Sequence, residues 1–190
     1  MFLMTPARKI LVALNLVLIL LIALTASISA ADGTPGRGFS TTFSYHHIAG
    51  SAFTTRDSTS GWDYSGVGCV SLANGSELFT ASLELPEGAR IDYLRLFYRD
   101  TSASNGTAWI TTYNGAGSFT DLTSVSSTGS SGYGTTLSPY LGHIVDNASQ
   151  AYVLNWQATQ TGATMQLCGM RVAYRLAVNE FYLPLLMRRQ

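Results

Sequence analysis

Residues 79–100 read FTASLELPEGARIDYLRLFYRD, and this stretch decides the fold class. Phe79, Ala81, Leu83 and Leu85 alternate with Thr80, Ser82 and Glu84. That period of two gives a strand one dry face and one wet face. Pro86 and Gly88 then mark a turn. Beyond it the alternation resumes over residues 91–100, with Leu94, Leu96 and Tyr98 on one face. The other face, carrying Ile91, Tyr93, Arg95, Phe97 and Arg99, is also substantially apolar. A strand with two apolar faces is expected to be covered on both, by a second layer, the C-terminal tail or a neighbouring subunit.

Outward from this segment, short apolar stretches separated by turn residues continue in both directions, and no long segment shows helical period. Strands are expected over residues 108–113, 119–125, 140–145, 152–156 and 165–176. In the last of these, Cys168, Met170, Val172, Tyr174 and Leu176 share a face. Residues 124–134 (SVSSTGSSGYG) read as a polar, glycine-rich loop. Eight to ten strands suit an all-β fold, a two-sheet antiparallel β-sandwich of jelly-roll-like form. An immunoglobulin-like sandwich is the alternative.

The first thirty-one residues read as a leader. Arg8 and Lys9 open it, an apolar run follows from Ile10 to Leu24, and small residues close it. This is the pattern of a secretory signal peptide, cut after Ala30 or Ala31. The apolar run is short for a membrane-spanning helix, which needs about 20 residues. No transmembrane segment is therefore expected after cleavage, and the expected location is secreted or cell-surface. Residues 32–38 (DGTPGRG) form a flexible lead-in, residues 39–178 the sandwich domain, and residues 179–190 an apolar tail around FYLPLLM. Pro184 in that tail argues against an interior strand.

Two cysteines, Cys69 and Cys168, are the only ones in the chain. In an exported protein they are expected to form a disulfide, tying an early strand to a late one. Nothing resembles a Cys-X-X-Cys redox site. Without the leader, nine basic residues face eleven acidic ones, and no lysine remains because Lys9 is the only one. That excludes a lysine nucleophile, and the lack of a basic block excludes the electrostatic footprint of a nucleic-acid binder.

Catalytic machinery is not legible. No Gly-X-Ser-X-Gly elbow is present. The histidines are His46, His47 and His143, without metal-ligand spacing, so neither a metal nor another cofactor is expected. The aromatic residues are more suggestive, since flat apolar rings beside polar groups suit sugar rings. Trp109 and Trp156 each continue an apolar phase and are assigned to the core. Trp62 lies in a polar segment, DSTSGWDY (57–64), and with Asp63 and Tyr64 is the candidate ligand-binding group. Asn74-Gly75-Ser76, Asn105-Gly106-Thr107 and Asn147-Ala148-Ser149 match the N-glycosylation pattern, and all fall at expected turns.

The combination of Gly68-Cys69-Val70, Leu85-Pro86-Glu87-Gly88-Ala89, residues 94–100 (LRLFYRD) and residues 167–172 (LCGMRV) resembles jelly-roll-like β-sandwich domains of secreted bacterial proteins with no assigned function. The Leu-Pro-X-Gly-Ala turn before an apolar strand is also similar to the jelly-roll heads of trimeric extracellular proteins. The resemblance implies a fold and no site residues. The expected function is a secreted, non-catalytic structural or binding module. It would associate with itself as a homo-oligomer such as a trimer, or with a cell-surface glycan through exposed aromatics. A hydrolase of cell-surface polymer is the remaining alternative.

Overall fold

The period-two alternation closes into two large antiparallel sheets that share one core, and Gly38–Phe39 pairs with Ala177–Val178 as a separate two-stranded sheet. The computed structural model describes residues 38–75, 78–129 and 132–178. The expected leader (1–31) and tail (179–190) lie outside the described residues, as do Ser130 and Ser131 of the glycine-rich stretch.

In chain order the strands are β1 (Gly38–Phe39), β2 (Ser44–Ala49), β3 (Thr54–Thr55), β4 (Trp62–Tyr64), β5 (Val70–Leu72), β6 (Phe79–Ser82) and β7 (Arg90–Asp100). They continue as β8 (Thr107–Asn114), β9 (Phe119–Ser126), β10 (Gly132–Leu137), β11 (His143–Ile144), β12 (Gln150–Gln157), β13 (Met165–Arg175) and β14 (Ala177–Val178). A single 3-10 turn, Gly50–Ala52, is the only helical element among the described residues. The seven-stranded sheet runs β10-β7-β13-β5-β4, with β11 also on β7 and β2 also on β13. The five-stranded sheet runs β3-β6-β12-β8-β9. The chain crosses repeatedly from one sheet to the other, which gives the sandwich its jelly-roll character.

Inward positions of both sheets meet in one cluster. Leu94 and Leu96 of β7, Met170 and Val172 of β13, Ile110 of β8, and Leu154 and Trp156 of β12 are all fully buried. Trp156 is core, as its apolar phase indicates. Gly106 lies against its ring: a Cβ there would sit 2.2 Å from Trp156 Cη2. Asp100, also fully buried, accepts hydrogen bonds from Ser102 N–H and from the hydroxyls of Ser102 and Ser127 (2.6 Å to Ser127 Oγ). Ser127 Oγ in turn accepts from Gly106 N–H at 2.8 Å. This small network ties the end of β7 to the start of β8 and the exit of β9, leaving the carboxylate's oxygens satisfied.

Three expectations change in detail. The two strands flanking Leu85-Pro86-Glu87-Gly88-Ala89 do not pair with each other. β6 belongs to the five-stranded sheet and β7 to the seven-stranded one, so the turn is a crossover between layers. Leu83, Leu85 and Ala89 are buried along it, and Gly88 N–H donates to Val145 O while Val145 N–H donates to Ala89 O. The glycine-rich stretch 124–134 is strand at both ends, where β9 runs to Ser126 and β10 starts at Gly132, and residues 127–129 between them are not strand. Of residues 140–145 only His143–Ile144 pair as strand, short because β11 meets only the first two residues of β7.

The disulfide forms, joining Cys69, just before β5, to Cys168 in β13, with Cα atoms 3.9 Å apart. Cys168 sits at a bulge: Leu167 faces Tyr98 and Gly169 faces Phe97, so Cys168 is the extra residue. The ladder beside the bond is short, Val70 on Leu167 and Ser71 on Gln166. The crosslink therefore holds β5 where hydrogen bonding to β13 is sparse.

A candidate ligand-binding face

Side chains directly opposite across a ladder share a face. The register therefore assembles the outer face of the seven-stranded sheet row by row. One row sets Leu137, Arg95, Arg171 and His47 side by side on β10, β7, β13 and β2. The next sets Tyr93, Ala173 and Tyr45 together. Phe43, just before β2, and Tyr140, after β10, close the end. Ala173 is the small residue in this ring of large ones. Above it lies a depression of about 200 Å³ walled by Phe43, Tyr45, Tyr93, Arg95, Leu137 and Arg171.

The rings pack against one another, Phe43 on Tyr93 tilted at 6.2 Å between centroids, Tyr93 on Tyr140 edge to face at 5.7 Å, and His47 on Phe97 tilted at 5.1 Å. Arginines lie over them. The Arg171 guanidinium sits 4.8 Å from the Tyr45 ring centre and Arg175 sits 4.0 Å from that of Phe43. Arg90 is 4.5 Å from the Phe39 ring. This packing explains how the second apolar face of β7 is accommodated: arginine stems and rings fill it, which hides carbon while leaving charge in reach of solvent.

The four arginines divide into two kinds. Arg90 and Arg175 are structural. Both hold the Asp92 carboxylate, at 2.6 Å and 2.9 Å, and its side chain is 2% exposed. Arg175 also donates to the backbone oxygens of Ser40 and Thr41, so it fastens the entering chain to the end of β13. The hydrogen bond to Asp92 holds Arg90 above the ordinary arginine range. Arg95 and Arg171 are different. Among the described residues neither makes an ion pair. Arg95 spends one guanidinium nitrogen on Thr135 Oγ1 at 3.3 Å, and its Nε is buried with no partner. An arginine presents planar, forked donors that match a carboxylate or another oxyanion. Two of them beside aromatic walls can hold a flat ligand that is apolar on its faces and anionic at its edge.

The structure splits the candidate trio of Trp62, Asp63 and Tyr64. All three are exposed on the edge strand β4. Trp62 and Tyr64 face the same way, opposite Leu72 and Val70, at 39% and 54% exposure. Asp63 pairs with Ser71 and points to the other side. There it joins the outer row that continues through Gln166 and Arg99 to Tyr133. Period two makes this separation unavoidable in a strand. Trp109 is a further change: Ala108 and Ile110 point into the core, so Trp109 between them faces outward, half-buried, from the five-stranded sheet. The face residues Tyr45, Arg95 and Arg171 carried no motif. The alternation Tyr93-x-Arg95-x-Phe97 was the only local trace of them.

The three N-glycosylation-pattern asparagines serve the fold. Asn74 Oδ1 accepts from Gly61 N–H, Asn105 Oδ1 accepts from Gly129 N–H, and Asn147 Nδ2 donates to Leu85 O. Among the described residues no group of three His, Cys, Asp or Glu could hold a metal ion.

No family model matches the chain, and no curated protein matches it. Solved structures similar to it include an isomalto-dextranase of Arthrobacter globiformis T6 complexed with panose, at 16% identity and a TM-score of 0.45. That match covers 67% of this chain and only 23% of the dextranase. The CBM36-1 domain of a multidomain xylanase from the hindgut metagenome of Trinervitermes trinervoides is similar at 10% identity and a TM-score of 0.46, over 68% of this chain and 96% of that one. The family 11 carbohydrate-binding module of a cellulosomal cellulase of Clostridium thermocellum is similar at 11% identity and a TM-score of 0.34, over 78% and 94%.

Proposed function

We propose that this protein is a non-catalytic binding module acting outside the cell, and that it holds an acidic glycan against the outer face of the seven-stranded sheet. One observation carries the reading. Arg95 and Arg171 flank an aromatic-walled depression without a carboxylate of their own among the described residues, and Arg95 Nε is buried with no partner among them. Leaving a buried donor unmade costs about 1–3 kcal/mol, and more when it is charged. A carboxylate-bearing sugar would lay its ring on Tyr45 or Tyr93 and its acid between the guanidinium groups of the two arginines. The disulfide supports an oxidising compartment. The leader over residues 1–31 would bring the chain there, with cleavage testable by mass spectrometry of the exported protein.

The test is calorimetric titration with polygalacturonate, alginate and hyaluronate, each against a neutral control such as methyl-esterified polygalacturonate. Binding of at least one acidic chain is expected, weakening with salt and at least tenfold weaker for the ester, about 1.4 kcal/mol. Arg95→Gln and Arg171→Gln should each lose a similar factor while the protein stays folded. No binding to any acidic chain, or equal binding to the ester, overturns the proposal.

A second reading rests on β4. It is a three-residue edge strand with Trp62 and Tyr64 exposed, and Val67 of the following turn is exposed too. Unpaired edges with apolar side chains invite pairing with another copy. Sedimentation of the exported protein as a homo-oligomer that Trp62→Lys dissolves would support it, and a clean monomer at high concentration would remove it.

A further inference from the structure

The opposite face of the sandwich holds a group that the fold leaves unsatisfied. Asn155 of β12 is 1% exposed and points outward from the five-stranded sheet, between Thr80 of β6 and Trp109 of β8. Its Nδ2 donates to Thr111 Oγ1 at 2.8 Å, and the Thr111 hydroxyl donates to Asp121 Oδ1 at 2.6 Å. Asn155 Oδ1 is buried and has no partner among the described residues. Turning the amide over does not help. Thr111 would then donate to Asn155, Asp121 would lose its donor, and Nδ2 would become the orphan. The relay from Asn155 through Thr111 to Asp121 therefore fixes the carbonyl as an acceptor awaiting a donor.

Asn155 borders a depression of about 190 Å³, shared with Trp109, Thr111, Tyr113, Phe119 and Asp121. Arg56 and Asp121, one residue of each charge, line it as well. The rings of Tyr113 and Phe119 stand 6.2 Å apart at its end, and Phe119 is largely exposed. Acceptors at the floor and rim, beside flat apolar rings, match a molecule that offers hydroxyl donors along one edge and C–H faces above. From this geometry we infer a second ligand site, distinct from the arginine–aromatic face, that binds a neutral, hydroxyl-rich sugar with a hydroxyl donating to Asn155 Oδ1 and the ring lying on Trp109.

The site shares no residue with the acidic-glycan face, so the two readings fail separately. The experiment uses the exported chain carrying Trp62→Phe, in which Trp109 is the half-buried tryptophan and Trp156 is fully buried. Neutral gluco-, xylo-, manno- and galacto-oligosaccharides are titrated while tryptophan fluorescence is read. At least one is expected to shift the emission saturably. Asn155→Leu should weaken that ligand at least tenfold, Trp109→Phe should abolish the spectral change, and paired Arg95→Gln with Arg171→Gln should leave affinity within twofold. Should Asn155→Leu fail to fold, Tyr113→Ala on the open face should give the same loss. The inference is overturned if no neutral sugar shifts the emission, if Trp109→Phe leaves the shift intact, or if the arginine variants abolish it.

Discussion

Asp92 shows how much one buried charge can organise. Its carboxylate is shared by Arg90 and Arg175, which also reach the aromatic face and the entering backbone. Removing the acid leaves two partly buried cations facing each other. Asp92→Ala is therefore expected to cost about 3 kcal/mol, read as a lowered midpoint in urea, with Asp92→Asn recovering only part. His143 makes a second residue-scale prediction. Its Nε2 meets Tyr152 Oη at 2.9 Å, and burial pushes its pKa below the ordinary imidazole value. The unfolded chain then takes up the proton first, at about pH 6.5. Stability should be full above that pH and should fall as pH drops from there toward the lower folded value. His143→Gln should flatten the thermal midpoint between pH 7.5 and 5. The Asp146 carboxyl, held down by its hydrogen bond from Ser149, titrates in a separate and more acidic window.

At the scale of elements, the bulge at Cys168 and the glycine at 106, just before β8, each tie a local irregularity to the core. The disulfide closes a separation of 99 residues. On the chain-entropy view a loop that long is worth about 4–5 kcal/mol. Cys69→Ala with Cys168→Ala should lower the thermal midpoint strongly and loosen β5 and β4 first, seen as faster amide exchange in residues 62–72 than in β7. Gly106→Ala should be disproportionately costly for a turn position, because the new methyl meets the Trp156 indole, itself locked in the core. Thermal unfolding of that variant beside Gly115→Ala, where a Cβ meets nothing within 4 Å, separates packing from backbone effects. The crossover at residues 83–89 belongs to this scale too. Its alternation and its turn were both visible in sequence. Its partners were not, because a proline–glycine turn can join strands in one sheet or deliver them to two.

For the whole molecule, the sandwich presents two outer faces of different chemistry. One is lined with arginines and aromatic rings, the other with Asn155, Asp121, Arg56 and aromatic rings. Each contains one buried polar atom that the fold leaves unmade, Arg95 Nε and Asn155 Oδ1. The sequence by itself determined the strand periodicity, the all-β class and the only disulfide partners available. These are local or combinatorial properties: alternation is read within a strand, and two cysteines allow one pairing. It did not determine either face. Trp62, Asp63 and Tyr64 are marked by their polar segment, yet neighbours in a strand point to opposite sides. Tyr45, Tyr93, Arg95, Leu137 and Arg171 meet across four strands, and Asn155, Thr111 and Asp121 across three. Period two tells which side of its own strand a residue takes. Only the pairing and register of strands distant in the chain decide which residues stand beside it there.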